Sequence, residues 1–505
     1  MARVEIPEID LREVGARRHA RTPHRRIAAI SDDSRQVDAN TLFYARPTQS
    51  HHADRFVTDA LDRGAAAVIG SGLTPAAGVI NLDRPEDAIA ALVFQARGWS
   101  AETIAITAVT GTNGKTTVTH LIAGLIGLEG EPVGVIGTLG CGLWSPRAEY
   151  QSTGNTTPGL IENWALISRL VRDGAHEIVM EVSSHALSQG RVEGLPIRTG
   201  VFTNLGRDHF DYHGDLEAYR AAKAHLFALP SLRQAVLNAG QSASETMLDT
   251  LAARPDAPRT LCFALAPTVP VADCGAVVAG ELTTRADGDR ELVVSGRGER
   301  AALTVALAGR FNAENLLAAL AARLVVGETL ATLAERVGRL KAPPGRMESF
   351  RVGRGMTAVV DYAHTADALE NVLVSLRETL PAGGRLGVLF GAGGDRDSGK
   401  RPLMGAVAER LADWVIVTSD NPRNEPAEAI IDAILAGTSD REGIEVIVDR
   451  RQAIAAGIRR LAAGQAGDCL LIAGKGHETG QQVGDETLPF DDRLVVREQA
   501  REVAA

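Results

Sequence analysis

The sequence predicts an α/β protein with three domains, in which helices cover mainly parallel sheets. Its 505 residues suit three domains of about 100 to 200 residues each. Short apolar runs, such as residues 104–109 and 177–180, alternate with longer segments of helical periodicity, and this alternation is typical of parallel α/β layers. We therefore expect a small α/β domain over residues 1–100, a central domain over 101–341 and a third domain over 342–505.

Two local features support these boundaries. The stretch 97–100 precedes the apolar run at 104–109, and two prolines and a glycine at 343–345 follow a helical pattern over residues 329–340. Further along, strand-like runs alternate with helical segments, and these runs lie at residues 357–360, 386–390, 414–417, 445–448 and 469–472. This doubly wound pattern predicts ligand-binding residues at the carboxyl ends of the strands.

Composition excludes several classes of protein. The formal net charge of −10 argues against general nucleic-acid binding, because phosphate backbones are bound mainly by lysine and arginine. The sequence has neither an apolar leader at its start nor a run of about 18 apolar residues, so we expect a cytoplasmic protein without a membrane span. The four cysteines have no CxxC spacing, which predicts reduced, buried thiols rather than a zinc site or a disulfide framework.

A glycine-rich loop carries the strongest local chemistry. It follows the apolar run at 104–109, precedes a helical segment through residues 121–128, and consists of Gly111, Thr112, Asn113, Gly114, Lys115, Thr116 and Thr117. Strand, loop and helix in this order indicate a phosphate site, in which backbone N–H groups and Lys115 meet phosphate oxygens and the Thr116 hydroxyl ligates Mg²⁺. Val109 replaces the first glycine of the general pattern, and a glycine-rich turn with an accidental lysine is the alternative.

Acidic and imidazole groups follow later strand-like runs. Glu181 and His209 both lie at such positions, and a carboxylate at a strand end beside a phosphate loop can hold magnesium during phosphoryl transfer. For Glu181 the alternative is a surface carboxylate that caps the next helix. For the segment 208–213 the alternative is a zinc site, since His209 and His213 are four residues apart, although Gly214 favours a turn.

Several motifs, taken in order, resemble those of the Mur ligases over nearly the whole chain. Besides the glycine loop they are Asp33-Ser34-Arg35, Asn155-Thr156-Thr157-Pro158, EVSSHAL at 181–187, TNLGRDHFDYHG at 203–214, and the short motifs at 309–312, 344–348, 361–365, 394–397, 420–423 and 474–478. The resemblance implies an N-terminal domain for a uridine nucleotide. It also implies a central P-loop ATPase-type parallel sheet and a C-terminal Rossmann-like domain that binds an incoming amino acid.

The resemblance also implies a reaction. ATP phosphorylates the free side-chain carboxylate of the D-glutamyl group in UDP-MurNAc-L-Ala-D-Glu, and the amine of the next amino acid attacks the acyl phosphate. Magnesium, with two ions expected, and lysine suit this chemistry because both steps concentrate negative charge. The implied catalytic residues are Lys115, His209 and Lys223, and the implied metal ligands are Thr116, Glu181, His209 and Lys223.

Lys223 is implied to be a carbamate formed with carbon dioxide. An ammonium beside Mg²⁺ and Lys115 would repel both, whereas a carbamate offers anionic oxygens. Formation of the carbamate needs a neutral amine, which nearby cations or burial would favour by lowering the lysine pKa. A solvated lysine on a helix is the alternative.

Other binding residues follow from the resemblance by position. For ATP they are Asn312, Arg346, Asp361 and His364, in addition to the glycine loop. For the UDP-substrate they are Ser34, Asn155, Thr156, Thr157, Ser183, Gln189 and Arg191. For the amino acid they are Arg396, Asp420, Asn421, Pro422, Arg423, Gly474 and Glu478. Helix capping is the alternative role for the serines and threonines.

The incoming amino acid is expected to be meso-2,6-diaminopimelate. The Asp420 to Arg423 motif marks diaminopimelate enzymes in the resembled family, and an arginine fork matches the extra carboxylate that lysine lacks. The sequence departs from the family pattern in three places. Residues 49–55 lack the usual Asp-Gly, and residues 237–240 lack the usual acidic pair. Pro426 comes one position earlier than the proline that usually follows this motif.

Other functions stay open on the sequence. The same ligation with L-lysine is one alternative, and a different Mur ligase or a folylpolyglutamate synthase is another. From a different class, the chain could be a P-loop module that binds nucleotide as a switch or scaffold without ligating anything. We expect a monomer, and we expect domain closure because the glycine loop and Asn421 lie in different predicted domains.

Overall fold

The structure is a computed structural model that describes residues 3–11, 25–46, 53–100, 102–146, 148–206, 208–268, 274–284, 290–304, 309–441 and 443–503. The chain forms two compact units. The first comprises Met1–Ala279, Val294–Ala301 and Leu317–Arg336, and the second comprises Gly280–Val293, Ala302–Leu316 and Val337–Ala505. The predicted domain boundaries at residues 100 and 341 stay predictions.

The first unit begins with a five-stranded sheet whose strands lie in chain order. Its strands are β1 (Arg3–Asp10), β2 (Arg26–Ser31), β3 (Thr41–Ala45), β4 (Ala67–Gly70) and β5 (Val79–Asn81). β1 and β2 are antiparallel, and the other neighbours are parallel. A 3₁₀ turn at Ser34–Gln36 and the helices Ala53–Asp62 and Pro85–Arg97 accompany this sheet.

A second sheet follows, and it is mainly parallel. Its strands are β6 (Ala105–Thr110), β7 (Val133–Gly137), β8 (Gly140–Leu143), β9 (Glu177–Glu181), β10 (Ile197–Phe202), β11 (Gln234–Asn238) and β12 (Arg259–Leu265), arranged in the order β12-β11-β10-β6-β9-β7-β8. β13 (Ala276–Thr284), β14 (Arg290–Gly296) and β15 (Glu299–Thr304) continue this order beyond β12. β6 lies between β9 and β10, with Val109 opposite Glu181 and Thr110 opposite Phe202. The segments that follow these three strands therefore meet at one edge.

The helices between β6 and β12 are Lys115–Gly127, Leu160–Arg172, Ser184–Ser188, Phe210–His213, Leu216–Ala228 and Ser244–Ala252, and Arg310–Val326 and Leu330–Val337 follow β15. Lys115–Gly127 is the most enclosed of them: every residue from 116 to 126 is buried. This burial explains why residues 121–126 are apolar on all sides of the helix, unlike those of a surface helix. The helical pattern predicted over 329–340 is confirmed in Leu330–Val337, which is shorter at both ends.

The second unit holds a six-stranded sheet of order β16-β17-β21-β18-β19-β20. The strands are β16 (Glu348–Val352), β17 (Met356–Asp361), β18 (Leu386–Phe390), β19 (Trp414–Val417), β20 (Ile444–Val446) and β21 (Cys469–Ala473), and β22 (Gly480–Val483) and β23 (Glu486–Pro489) form a separate hairpin. The helices are Ala366–Thr379, Lys400–Leu411, Ala427–Leu435, Arg450–Ala462 and Asp492–Glu502. All neighbours from β17 to β20 are parallel, which confirms the doubly wound pattern.

The cysteine prediction is confirmed for two residues and wrong for the other two. Cys141 and Cys469 are free and buried, as expected. Cys262 and Cys274 instead form a disulfide, with their Cα atoms 6.2 Å apart. Cys262 lies in β12 and Cys274 lies just before β13, the next strand in the sheet. The pairing of these strands brings together two cysteines that are 12 residues apart, a separation that a search for CxxC motifs does not detect. None of the helices that the structure describes is both long and apolar enough to cross a membrane.

Candidate active site

The glycine loop lies between the end of β6 and the start of the helix Lys115–Gly127. The segment after β10 supports it: the backbone N–H of Asn113 donates to Asn204 Oδ1 at 2.9 Å, and Thr203 Oγ1 donates to the Asn113 carbonyl at 2.6 Å. The N–H of Gly206 donates to Thr112 Oγ1 at 2.8 Å. The loop thus lies at a helix N-terminus, a position whose dipole favours anions.

Two lysines converge on one carbonyl of this loop. Lys115 Nζ donates to the carbonyls of Gly111 and Thr112, both at 2.8 Å, and Lys223 Nζ donates to the Gly111 carbonyl at 2.9 Å. Lys223 is only 1% exposed, and its ammonium lies 4.3 Å from the ring centroid of Tyr219. Burial, and then the charge of Lys115, lower the pKa of Lys223 well below its ordinary value. Lys223 is not a solvated helix lysine.

Glu181 lies at the end of β9 and points toward the loop. It is 1% exposed and accepts hydrogen bonds from Thr116 Oγ1 at 2.9 Å, from the Thr138 N–H at 2.8 Å and from Thr138 Oγ1 at 3.1 Å. The helix that follows is capped by Ser183, whose Oγ accepts from the Ala186 N–H. The capping alternative is therefore wrong for Glu181 and confirmed for Ser183. A buried carboxylate beside a hydroxyl provides the oxygen ligands that suit Mg²⁺.

His209 begins the short helix Phe210–His213 with a left-handed backbone (φ 55°). Its ring centroid lies 4.7 Å from that of His185 and 6.2 Å from that of Tyr219, the residue that Lys223 also contacts. His213 Nε2 lies 2.9 Å from Ser184 Oγ. No group of three or more His, Cys, Asp or Glu side chains suited to a metal occurs among the described residues.

Four of the residues predicted for the UDP-substrate form one hydrogen-bonded group. Thr157 Oγ1 donates to the Glu181 carbonyl at 2.9 Å and accepts from the Ser183 N–H at 3.0 Å. Arg191 Nη1 donates to the Thr157 carbonyl at 2.8 Å, and Arg191 Nε donates to Gln189 Oε1 at 2.9 Å. Burial, and then the charge of Arg46, lower the pKa of Arg191.

The remaining predicted contacts of this substrate lie around that group. Thr156 Oγ1 lies 3.1 Å from Thr138 Oγ1, whereas Asn155 is exposed. Ser34 lies on the wall of a cavity of about 770 Å³ in the first unit, whose lining also includes Tyr44, Arg46 and Phe56. Of the off-pattern stretch 49–55, residues 49–52 lie outside the described residues.

In the second unit, three of the residues predicted for ATP lie together at the end of β17. Asp361 is buried and accepts from the N–H groups of Met347 and Ala363 at 2.9 and 2.8 Å, and burial raises its pKa. The Arg346 guanidinium lies 4.6 Å from the ring centroid of Tyr362, and His364 Nδ1 lies 2.9 Å from the Tyr362 carbonyl. Asn312 is buried on Arg310–Val326, where Asn315 donates to it at 3.4 Å.

In the second unit, the segment after β19 contacts the segment after β21, and this contact brings together residues that the sequence predicted to bind the amino acid. Asn421 Nδ2 donates to Glu478 Oε2 at 2.8 Å. Lys475 is fully buried, and its Nζ donates to Asn421 Oδ1 at 2.9 Å and to Glu478 Oε2 at 3.1 Å. Gly474 lies directly against the Asp420 carboxylate. The amide and the carboxylate are therefore fixed in orientation by a buried ammonium.

Arg423 lies next to these residues with a left-handed backbone (φ 51°). Its Nη1 donates to the Gly394 carbonyl at 2.7 Å, and the Pro422 carbonyl packs against Gly394. Arg396, on the same loop as Gly394, is exposed. Pro426 is the N-cap of Ala427–Leu435, so the early proline begins a helix and leaves the Asn421–Arg423 turn intact.

Comparisons with known proteins show the family of this chain. A family model described as the Mur ligase middle domain matches residues 109–323, and one described as the Mur ligase glutamate ligase domain matches residues 345–476. A UDP-N-acetylmuramoyl-L-alanyl-D-glutamate–2,6-diaminopimelate ligase of Pseudomonas putida is 41% identical over 481 residues, which cover 92% of this chain and 93% of the relative. The chain belongs to the Mur ligase family.

Solved structures support the fold of this Mur ligase. A structure of a UDP-N-acetylmuramoyl-L-alanyl-D-glutamate–2,6-diaminopimelate ligase superposes with a TM-score of 0.73 at 35% identity, covering 98% of this chain and 99% of that one. A Mycobacterium tuberculosis folylpolyglutamate synthase, solved with ADP and AMPPCP, gives a TM-score of 0.58 at 19% identity over 75% of this chain and 90% of its own. That likeness concerns the fold alone. As a Mur ligase, the chain is an ATP-dependent ligase.

Sequence reasoning missed two residues of this Mur ligase. Lys475 stood inside a recognised motif, but a lysine between glycines gives no sign of full burial. Arg46 directly follows β3, lines the cavity that holds Ser34, and lies near enough to Arg191 to lower the pKa of Arg191. Its position at the carboxyl end of a parallel strand was the available signal.

Proposed function

We propose that this Mur ligase joins meso-2,6-diaminopimelate to the side-chain carboxylate of the D-glutamyl group in UDP-MurNAc-L-Ala-D-Glu, with ATP as phosphoryl donor. The observation that carries the proposal is the contact of Asn421 with Glu478 beside Arg423. This pocket offers a guanidinium for a carboxylate and a carboxylate for an ammonium. Relatives that align over most of the chain are named for this reaction.

The first step activates a poor electrophile. A carboxylate resists attack by an amine because its carbonyl already carries negative charge, and phosphorylation converts one oxygen into a leaving group. Lys115 and the N–H groups of the glycine loop bind the β- and γ-phosphates in this proposal, with Gly111, Thr112, Asn113, Gly114, Thr116 and Thr117 forming the rest of the loop. Their fixed positions stabilise the charge that develops during transfer.

Thr116 and Glu181 hold one Mg²⁺ in this proposal. The two side-chain oxygens lie 2.9 Å apart in a buried site, and both are hard ligands. His209 and Lys223 are the proposed ligands of a second ion, with Lys223 as a carbamate. The lowered pKa of Lys223 supports this role, because a neutral amine is the form that reacts with carbon dioxide. When bound, Mg²⁺ neutralises phosphate charge.

The second step is attack by the amine of the amino acid. Arg423 binds the distal carboxylate in this proposal, Glu478 binds the distal ammonium, and Asn421 orients both. Arg396, Asp420, Pro422 and Gly474 complete the pocket. Arg346, Asp361, His364 and Asn312 are proposed to bind ATP, and Ser34, Asn155, Thr156, Thr157, Ser183, Gln189 and Arg191 to bind the UDP-substrate. A monomer in the cytoplasm is part of the proposal.

A side-by-side assay tests the proposal. Phosphate release is measured with ATP, Mg²⁺ and UDP-MurNAc-L-Ala-D-Glu, in the presence of meso-diaminopimelate, L-lysine or neither. We expect release that depends on both the UDP-substrate and diaminopimelate, together with a tripeptide product of the matching mass. A preference for lysine would overturn the choice of amino acid. Nucleotide binding without dependent release would favour a switch or scaffold instead.

A further inference from the structure

The hairpin formed by β22 and β23 contacts several of the proposed ligands of the amino acid, and Gln482 makes three of these contacts. Its backbone N–H donates to Asn421 Oδ1 at 3.0 Å, and its carbonyl accepts from the N–H of Arg423 at 3.1 Å. Its side-chain Oε1 accepts from Arg423 Nε at 3.1 Å. Gln482 therefore contacts two of the proposed ligands of the amino acid through three separate hydrogen bonds.

These bonds determine which edge of the Arg423 guanidinium is available. Nε is held by Gln482, and Nη1 is held by the Gly394 carbonyl at 2.7 Å. Within the part of the chain that the structure describes, no hydrogen bond from Nη2 is found. The guanidinium is thus anchored on two sides, and its remaining N–H groups are aimed away from the anchors. A guanidinium held in this way keeps its planar donors ready for a carboxylate and loses less rotamer entropy on binding.

The backbone of Arg423 needs the same support. Its φ of 51° lies in the left-handed region, which is costly for a residue with a long side chain. Arg423 forms an isolated parallel bridge with Val483, and the N–H of Gly484 donates to the Arg423 carbonyl at 2.8 Å. The hairpin therefore holds the turn at 421–423 in a conformation that it would not adopt alone.

We infer that Gln482 is a positioning residue that sets the preference for an amino acid with a distal carboxylate, by aiming Arg423 at that carboxylate. The inference rests on the proposed function, because it assigns Arg423 to the substrate. Gln482 itself does not contact the substrate in this account. Loss of its Oε1 frees the guanidinium, so the cost falls on a substrate that has the second carboxylate and spares one that lacks it.

The test compares Gln482→Met with the wild-type enzyme. Methionine keeps the length of the side chain and removes the acceptor. We expect the KM for meso-diaminopimelate to rise by about fivefold, the range of one hydrogen bond, while kcat and the KM values for ATP and the UDP-substrate stay unchanged. The kcat/KM for L-lysine, measured at high lysine concentration, should also stay unchanged, so the preference for diaminopimelate falls by the same factor.

Thr487→Val is the matched control, because Thr487 lies opposite Gln482 in the same hairpin. This variant should keep the wild-type preference. Gln482→Glu is the second variant: it keeps an acceptor for Nε but adds a negative charge that competes with the substrate for Arg423, so it should also lower the preference. Circular dichroism and thermal melting check that each variant is folded.

An unchanged preference in both Gln482 variants overturns the inference, and so does an equal rise in the KM for every substrate. Failure of the proposed function looks different. In that case the wild-type enzyme itself shows no diaminopimelate-dependent release of phosphate, before any variant is compared.

Discussion

The carboxylate of Glu181 accepts a hydrogen bond from the hydroxyl of Thr116, although 65 residues separate them in the chain. The parallel pairing of β6 with β9 creates this contact, because Val109 lies opposite Glu181 and the glycine loop begins two residues later. The bond ties the first turn of the helix Lys115–Gly127 to the neighbouring strand. Its partners are the groups proposed to hold Mg²⁺.

Glu181→Gln tests whether ligation requires the negative charge of this side chain. Glutamine keeps the size and one acceptor oxygen but removes the negative charge, so we expect ligation to fall by about 100-fold. Its NH2 group also faces a donor that the carboxylate accepted from, so stability should fall by about 1 to 3 kcal/mol. A titration of phosphate release against Mg²⁺ should show a raised requirement. The matched control is Glu149→Gln, an exposed carboxylate of the same unit, which should behave as wild type. Wild-type ligation in Glu181→Gln would contradict the assignment.

Lys223→Met should lower the ligase activity and raise the melting temperature. The folded-state pKa of Lys223 lies well below its ordinary value of 10.5. Between those two pKa values the unfolded chain binds a proton that the folded chain does not, so the stability of the wild type rises with pH across that window. In buffer free of carbon dioxide, the variant should melt about 3 °C higher at neutral pH and should lack this pH-dependent contribution.

The same variant should lose ligation by about 100-fold if a carbamate is required, and added bicarbonate should raise the activity of the carbon-dioxide-depleted wild type alone. Carbon-13 spectra of the wild type with labelled bicarbonate check for the carbamate signal directly. Full activity in Lys223→Met would end the carbamate role.

Arg450→Met should destabilise the second unit strongly. Arg450 and Asp492 are both fully buried and pair at 2.7 Å, and Arg450 also donates to the carbonyls of Ser419 and Ala473. Removing the arginine leaves a buried carboxylate without its charge partner, which costs about 3 to 5 kcal/mol. Chemical denaturation measures the loss, and Arg450→Met combined with Asp492→Leu should recover part of it.

The adjacent pair serves as the control for that experiment. Arg451 and Glu498 join the same two helices at 2.8 Å but are more than half exposed. Arg451→Met should cost less than about 1 kcal/mol, as is usual for surface ion pairs. Equal losses in Arg450→Met and Arg451→Met would mean that burial does not decide the effect.

Gly345→Ala should open the contact between the segments before β16 and after β21. Gly345 has a φ of 65°, and a Cβ there would overlap the backbone of Gly476 and His477. We expect a loss of about 2 to 4 kcal/mol from backbone strain and overpacking together. Gly484→Ala is the control, since Gly484 has a φ of 57° with nothing within 4 Å, and it should cost only about 1 kcal/mol. Thermal melting of both variants gives the comparison.

The strands of the second unit were predictable because parallel strands covered on both faces are apolar throughout. β18 and β19 have the predicted bounds, residues 386–390 and 414–417, whereas the run predicted at 445–448 became Ile444–Val446, a strand with exposed residues and thus a weaker apolar signal. The disulfide between Cys262 and Cys274 was not predictable from spacing. It depends on which strands become neighbours, and a single sequence does not give that order.

The sequence predicted the glycine loop between a strand and a helix, and the structure has it there. The resemblance assigned Asn421 and Glu478 to one binding site, and the structure brings these two side chains into contact, while their binding roles stay predictions. The contacts of Lys475 and Gln482 were not predicted. Both donate or accept hydrogen bonds with residues more than 50 positions away. Neither the burial of a lysine nor a contact between distant segments produces a recognisable pattern in the neighbouring sequence. Helix capping had been the alternative role for the serines and threonines, and the structure confirms it for Ser183. Ser183 also keeps its proposed role in binding the UDP-substrate.

The close packing of Gly394 against the Pro422 carbonyl has a consequence for how this enzyme can evolve. A side chain at position 394 would collide with that carbonyl, so any substitution of Gly394 would displace the loop or the turn at 421–423. The backbone beneath the proposed amino-acid pocket is therefore closely packed at this point. Under the proposed function, a descendant of this sequence would change its preferred amino acid mainly by exchanging side chains on this backbone, at positions 421, 423 and 482.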